Sequence, residues 1–334
     1  MNGTVGTRIL GRSIIKHIPG DDLIRNGYGQ DFVILDTDYK SGRKDEVNVA
    51  AYGYSSKGRV ALIRANNNLL LSGAAAERIT VCITCGRDCP EQTLRREMHA
   101  LVEFAGELGI RVLGGNTIYS GEGSDISIIV TAYGKTSRKT LDTFTRDIHP
   151  DYKIIAVGNA GEYGASLIYK YNSEDLGKRF SKSYIEKNRF ENGFTEKDMD
   201  ISGIAGCLIG GGSCYIHDVT FGGIYRALYE MSEAAGLGID IWHDRIPIKQ
   251  STIEVSEFYG INPYMLLGTG AVAAVISPEL EEEVLRTLEA AGYKGAVIGR
   301  FTEEKTKVIR SERYEMNRSL TMYEEDEIYK ILKI

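Results

Sequence analysis

Apolar and polar positions switch between strand-like and helix-like periods along nearly the whole chain, with no low-complexity block and no short repeat, which predicts a mixed α/β fold. Residues 31–35 (DFVIL) and 78–84 (RITVCIT) carry the β-branched and apolar density of strands, and residues 60–71 between them read as helix. Over residues 92–109, Leu94, Met98, Leu101, Val102, Ala105 and Leu108 share one stripe at helical spacing, and Gly106 and Gly109 mark its end. A helix with one buried face is predicted. Residues 111–115 read as a strand entering a glycine-rich turn, and residues 125–133 (DISIIVTAY) as the strand leaving it.

Residues 135–152 are polar and lack apolar periodicity, so the domain boundary is placed there, giving domains 1–145 and 151–334. The second half opens with a buried strand at 153–158 and a small-residue helix start at 161–170. The highly charged stretch 174–200 reads as an exposed helix. A helix at 222–235 carries Ile224, Leu228, Met231 and Ala235 on one stripe and leads into a strand at 238–242. In the last αβ unit Ser277 caps a helix with Pro278 at its first position; Leu280, Val284, Leu285, Leu288 and Ala291 form its apolar face, Gly292 ends it, and residues 296–299 follow as a strand.

A length of 334 residues fits two domains at roughly 150 residues each, and 43% hydrophobic residues supply real cores. The formal charge of −6 argues against nucleic acid or an anionic membrane as main partner. No apolar run approaches the roughly 18–20 residues of a membrane span, and the first residues lack the apolar core of a secretory signal, so a soluble cytoplasmic protein is expected. Five cysteines in two clusters do not form a disulfide framework, and reduced thiols are expected. Glycine, at 38 residues against 6 prolines, points to many tight backbone approaches.

Five stretches carry candidate chemistry. Gly114-Gly115-Asn116-Thr117, at a predicted strand end, offers backbone N–H groups to phosphate oxygens and polar side chains to a metal or nucleotide; an ordinary hairpin loop is the alternative. His217-Asp218 followed by Thr220, Gly222 and Gly223 sets a carboxylate beside a helix N-terminus, an arrangement suited to Mg²⁺ and phosphate, with simple capping by Asp218 or Thr220 as the alternative. Asp36 and Asp38 lie on one side of an extended segment and suit a hard cation, or are ordinary strand-end carboxylates. Asn66, Asn67 and Asn68 interrupt a helical pattern that disfavours amides, which implies a task for them. Cys82, Cys85 and Cys89 have metal-like spacing, with His99 as a fourth ligand, against a reading as strand and loop cysteines. His17, His149 and His243 are scattered and read as surface or structural. No G-x-S-x-G elbow, GxxxxGK[ST] loop or GxGxxG opening a first βα unit is present, which disfavours ordinary P-loop and Rossmann nucleotide binding.

The stretch YIHDVTFGGIYRALYEMSEAAGLGIDI with IPIKQSTIEVSEFYGINPYMLLGTGAVAAVISPE resembles the PurM-like (AIR synthase-related) superfamily, and within it the HypE hydrogenase-maturation group. GYGQDFVIL resembles the family's N-terminal acidic motif, NNLLLSGA its asparagine-aspartate segment, GGNT its glycine-glycine turn, KIIAVGNAGEYGASLIYK the opening of its second domain, and AAGYKGAVIGRFTE its final βαβ segment. The resemblance implies an N-terminal domain that dimerises through a β-barrel, a C-terminal α/β domain, and ATP with Mg²⁺ as cofactors for phosphorylating or activating an oxygen of a small-molecule or protein-borne acceptor. It also implies a homodimer. By the same resemblance Asp31 and Asp218 are the catalytic, metal-binding aspartates, Asn67, Asn68, Gly114, Gly115, Asn116 and Thr117 bind the nucleotide or its metal, and Thr220, Gly222 and Gly223 line the phosphates. Asn68 stands where the family has a metal-binding aspartate, and Asp36 or Asp38 is the expected compensation. The tail reads IYKILKI without the cysteine that HypE uses as carbamoyl acceptor, so the HypE reaction itself is not expected and the acceptor is left unassigned. The rival expectations are a nucleotide-binding maturation partner with weakened catalysis and a thiol metal or sulfur carrier built on Cys82, Cys85 and Cys89.

Overall fold

A computed structural model describes residues 13–14, 31–36, 45–144, 148–313, 315–322 and 325–332. Asp38 and His17 lie outside the described residues. The chain divides into two compact units, one holding residues 31–142 and the other beginning at residue 143.

The first unit is one five-stranded sheet with two long helices. Its strands are β1 (Phe32–Ile34), β2 (Glu46–Ser55), β3 (Arg78–Cys85), β4 (Arg111–Tyr119) and β5 (Ile126–Ser137), in the spatial order β1-β2-β5-β3-β4. All neighbours are antiparallel except β3 and β4. Its helices are α1 (Gly58–Leu70), α2 (Glu91–Glu107) and the short α3 (Arg138–Phe144). Strand β3 shows the period-two rule: Ile79, Val81, Ile83 and Cys85 are buried, and Thr80, Cys82 and Thr84 face the other way. Ile79, Val81 and Ile83 join Leu62, Leu69, Leu101, Ile128 and Val130 in one core.

Helix α2 forms where the stripe predicted it, but only Leu101 and Ala105 of that stripe are fully buried, while Val102 and Leu108 are exposed. Its first turns overhang the sheet edge, so Leu94 and Met98 are half-buried. Two boundaries differ from expectation. The glycine pair does not end β4, which continues to Tyr119, and the turn comes afterwards at residues 120–125. Residues 135–137 complete β5 and residues 138–144 are helical, because Arg138 N–H bonds back to Asp45 C=O and extends the pairing of β5 with β2.

The second unit is a seven-stranded sheet formed by β6 (Lys153–Val157), β7 (Tyr215–Val219), β8 (Gly238–Trp242), β9 (Ala271–Ile276), β10 (Gly295–Thr302), β11 (Lys307–Ser311) and β12 (Met316–Ser319), in the order β12-β11-β8-β10-β6-β9-β7. Strand β9 is buried at every position, which explains its unbroken apolar sequence AVAAVI. The helices are α4 (Glu162–Tyr171), α5 (Ser173–Leu176), α6 (Lys182–Asn188), α7 (Glu196–Met199), α8 (Ser202–Gly210), α9 (Gly223–Ala235), α10 (Gln250–Tyr259) and α11 (Glu281–Ala290). The charged stretch 174–200 is not a single exposed helix. It forms three short helices anchored by buried Leu176, Ile185, Phe190, Phe194 and Met199, with Phe180 stacked on Tyr184. Its charges sit outward and hide a sparse but strong apolar anchor. No helix among the described residues is long and apolar enough to cross a membrane.

Candidate functional site

Parallel pairing of β3 with edge strand β4, under the overhanging start of α2, leaves a groove of about 550 Å³ in the first unit. Val81, Ile83, Leu94 and Met98 form its apolar walls, Glu91 and Arg95 its charged side, and Gly114, Gly115, Asn116 and Thr117 its edge. The volume lies within the roughly 300–1,000 Å³ range of small-molecule sites. The four residues of the GGNT motif are thus brought together, as an edge strand rather than a hairpin loop. Alternate N–H groups of such a strand point away from their neighbour and stay open to a ligand.

The local sequence is fitted to this geometry. A Cβ at Gly115 would overlap the carbonyl oxygen of Val81, so glycine is required for β4 to approach β3. Asn116 Oδ1 accepts from Thr117 N–H at 2.9 Å, which holds that side chain against its own strand. Arg95 Nη2 lies 2.7 Å from Glu91 Oε1 in an exposed ion pair, a weakly held cation beside the groove. Glu91, Leu94, Arg95 and Met98 carried no functional signal in the sequence, since the apolar ones look like core and the charged ones like surface.

Asn67 and Asn68 lie on α1 and do not line this groove. Asn67 is buried, and Asn68 Nδ2 donates to Tyr52 C=O at 2.9 Å, while Asn66 Oδ1 accepts from Ala76 N–H. Two of the three amides therefore tie α1 to neighbouring backbone. Asn68 Oδ1, however, is buried and accepts no hydrogen bond among the described residues, leaving one orphaned acceptor. The Asp36 carboxylate is engaged by Asn48, accepting from its N–H at 2.7 Å and from Nδ2 at 3.1 and 3.2 Å. Asp36 closes the β1–β2 pairing, which is the strand-end role. Asp31 is half-buried immediately before β1.

The three-cysteine metal site is not formed. Cys82 and Cys85 are three apart on one strand and so face opposite sides of the sheet, and among the described residues no ligand-like group contains a cysteine.

In the second unit β7 ends at Val219 and α9 begins at Gly223, as expected, with Asp218 buried at the strand end. His217 Nδ1 donates to Asp218 C=O at 2.7 Å, and its Nε2 lies 3.3 Å from Glu230 Oε2. Burial alone would raise the Glu230 carboxyl, but His217 and Arg226 outweigh it and hold it below the usual carboxylate range. A Cβ at Gly223 would overlap the backbone of Tyr264 and Leu266, so that glycine serves a close approach. Thr220 C=O accepts from Gly223 N–H, and Gly222 N–H donates to Asp326 Oδ2 at 2.6 Å. The helix N-terminus expected to meet a phosphate thus already holds a carboxylate of the same chain.

His243, read from the sequence as surface or structural, is half-buried in a network that the sequence did not announce. Arg318 donates to the Tyr225 hydroxyl at 2.9 Å, so that hydroxyl donates in turn to His243 Nδ1 at 2.9 Å, and Tyr264 lies against both rings.

Family comparison agrees with this architecture. Residues 43–136 match the AIR synthase related protein N-terminal domain and residues 150–311 its C-terminal domain. A putative hydrogenase expression/formation protein of Methanocaldococcus jannaschii is 24% identical over 256 residues, 75% of this chain and 72% of that protein. The carbamoyl dehydratase HypE of Rhizobium leguminosarum bv. viciae is 23% identical, covering 70% of this chain and 64% of that one. Among solved structures, a HypE–HypF complex chain is similar with a TM-score of 0.72 at 20% identity, over 94% of this chain and 99% of that chain. HypE in complex with ATP is similar with a TM-score of 0.67 at 16% identity, over 96% of each. At such identities the structural likeness establishes the PurM-like two-domain fold. This chain belongs to the AIR synthase related protein family and carries both of its domains.

Proposed function

We propose that the protein is an ATP- and Mg²⁺-dependent enzyme that phosphorylates or otherwise activates an amide, carboxylate or similar oxygen of an acceptor, working as a homodimer with domains 1–145 and 151–334. The observation that carries this reading is the groove edged by all four residues of the GGNT motif. Its donor set fits a nucleotide: an apolar wall of Leu94 and Met98 for a base, open edge-strand N–H groups for phosphate oxygens, and Arg95 as counter-charge. Bound ATP with Mg²⁺ would supply a phosphoryl group that turns a poor oxygen leaving group into a good one. Asp31 in the first unit and Asp218 in the second are each proposed as a carboxylate ligand for Mg²⁺, an ion that prefers oxygen ligands. The protein's own share is to bind and orient: Thr117 and Arg95 fix the phosphates, and the α2 overhang excludes water from one side.

The relatives named carbamoyl dehydratase support an amide acceptor, and the HypE–HypF complex supports one carried on a protein. The homodimer is supported by the open face of the first sheet, where Val33, Tyr52 and Ile129 are exposed on the successive strands β1, β2 and β5, and Ile118 is exposed on β4 beyond β3. Titration calorimetry with ATP and Mg²⁺ tests the reading in Arg95→Ala and Thr117→Val. Each should weaken binding by roughly 10- to 100-fold, the worth of one hydrogen bond to a charged group. Unchanged affinity in both would remove the nucleotide from this groove.

A further inference from the structure

One guanidinium of the second unit is held in place without a partner charge. Arg318 stands on β12 opposite Ile309 of β11, and its side chain reaches the first turn of α9. There Nη2 donates to the Tyr225 hydroxyl at 2.9 Å, and the guanidinium carbon lies 5.4 Å from the centre of the Tyr225 ring. Tyr225 is fully buried, its hydroxyl donates to His243 Nδ1 at 2.9 Å, and its ring stacks on Tyr264 at 5.3 Å. The half-buried rings of Tyr264 and His243 lie 4.4 Å apart. His243 directly follows β8, which runs parallel to β11, and open α/β sheets bind ligands outside the carboxyl ends of such strands.

Arg318 forms no ion pair among the described residues, and apart from the Tyr225 bond its N–H groups meet no acceptor there. Asp244, next to His243 in the chain, is committed elsewhere. It accepts from Ser311 Oγ at 2.7 and 2.9 Å and from Arg313 N–H at 3.3 Å, and the Ser311 bond above all holds its carboxyl low. His243 adds no charge at neutral pH, because burial first and Arg318 second hold its imidazole below the ordinary value against the pull of Asp244. The guanidinium is thus the cluster's own cation, rigidly presented and uncompensated. We propose that Arg318, His243 and Tyr264 form a binding site for a small organic carboxylate, with Tyr225 as the residue that positions the guanidinium.

A carboxylate matches the site in charge and in shape, with one negative charge for one cation and two coplanar oxygens for the planar guanidinium fork. A phosphate dianion would bring a second negative charge with no cation to meet it, and with Asp244 beside His243. The rings of His243 and Tyr264 supply an apolar wall for the body of the molecule. Because Tyr225 holds the fork by its hydroxyl and its ring, little side-chain freedom remains to be lost on binding. The site lies within the second unit, and it stands whether or not a nucleotide occupies the groove of the first.

The test uses the full chain at pH 7.5 in a buffer free of organic acids, with sodium benzoate as the probe and saturation-transfer NMR of its ring protons as the readout. Saturable, roughly millimolar binding is expected, ordinary for a fragment of this size. Arg318 is exposed, so Arg318→Ala should keep the urea midpoint while weakening benzoate about tenfold or more. Arg318→Lys keeps the charge without the fork and should weaken it about threefold or more. Tyr225→Phe keeps the ring but frees the guanidinium, and should weaken benzoate by roughly 3- to 10-fold. Benzamide, of the same shape without the charge, should not compete. Absence of saturable benzoate binding overturns the proposal, as does equal affinity in Arg318→Ala, which would leave Arg318 a purely structural contact of Tyr225. Benzamide binding as tightly as benzoate, or inorganic phosphate binding more tightly, would equally overturn the assignment to a carboxylate.

Discussion

Replacing Asp326 by alanine should unfasten the second unit. The carboxylate is only 4% exposed and accepts three backbone hydrogen bonds: from Gly222 at 2.6 Å, from Leu267 at 3.2 Å and from Ile328 at 2.8 Å. It therefore joins the turn before α9, the loop before β9 and the final segment, where Tyr329 stacks on Phe221 and Ile328 is buried. Losing the cap on Ile328 costs about 1 kcal/mol. Stranding the Gly222 and Leu267 N–H groups costs roughly 1–3 kcal/mol each. Water entering the vacated space relieves part of this, so Asp326→Ala should lose about 3–4 kcal/mol. Asp326→Asn keeps one acceptor oxygen in place and should lose about 1–2 kcal/mol, the difference between charged and neutral acceptors. Trp242, the single tryptophan, lies in β8 of the same unit, so its fluorescence in a urea titration reads this unit alone. A loss below 1 kcal/mol for Asp326→Ala would refute the assignment of the carboxylate as a structural clamp, and would leave the turn before α9 free for an external anion.

Two further outcomes follow from the titrating groups. Burial first, and Arg318 second, hold the His243 imidazole below its ordinary value against a smaller upward pull from Asp244, so the unfolded chain binds a proton near pH 6.5 that the folded chain refuses. Stability should be flat above that pH and fall as pH drops through it toward the folded value; urea midpoints between pH 7.5 and 5.5 should lose part of their slope in His243→Gln, and an unchanged slope would exclude His243 as the source. Burial alone would raise the Glu97 carboxyl, but Arg96, Lys57 and the Gly58 N–H outweigh it and hold it low. Its contribution is present above the unfolded value of about 4.5 and disappears as pH falls through the folded one, so Glu97→Gln should cost about 1–2 kcal/mol at pH 7, and that difference from the wild type should shrink as pH falls below 4.5 when followed by circular dichroism.

Short-range periodicity and backbone sterics act within a few residues, and the order of amino acids encodes them directly. The stripe of α2, the buried run that became β6, the start of α9 and the GGNT motif were all legible, because spacing of 2 or 3.6 residues and the demand for glycine act within a few positions. The ordered string of motifs also pointed to the family. Tertiary structure decided what those segments meet. That β4 runs on through its glycines depends on β3 alongside it, since Gly115 is needed only where Val81 comes close. That Leu94 and Met98 line a groove while Leu101 and Ala105 fill a core depends on where the sheet edge ends under α2. The three cysteines looked like one ligand set in a linear count, yet strand alternation sends Cys82 to one face of the sheet and Cys85 to the other. Asp326 meets Gly222 across 104 residues, and Arg318 meets Tyr225 across 93. No local pattern marks such pairs, because their energy comes from desolvated polar groups that acquire partners only once the chain has closed around them.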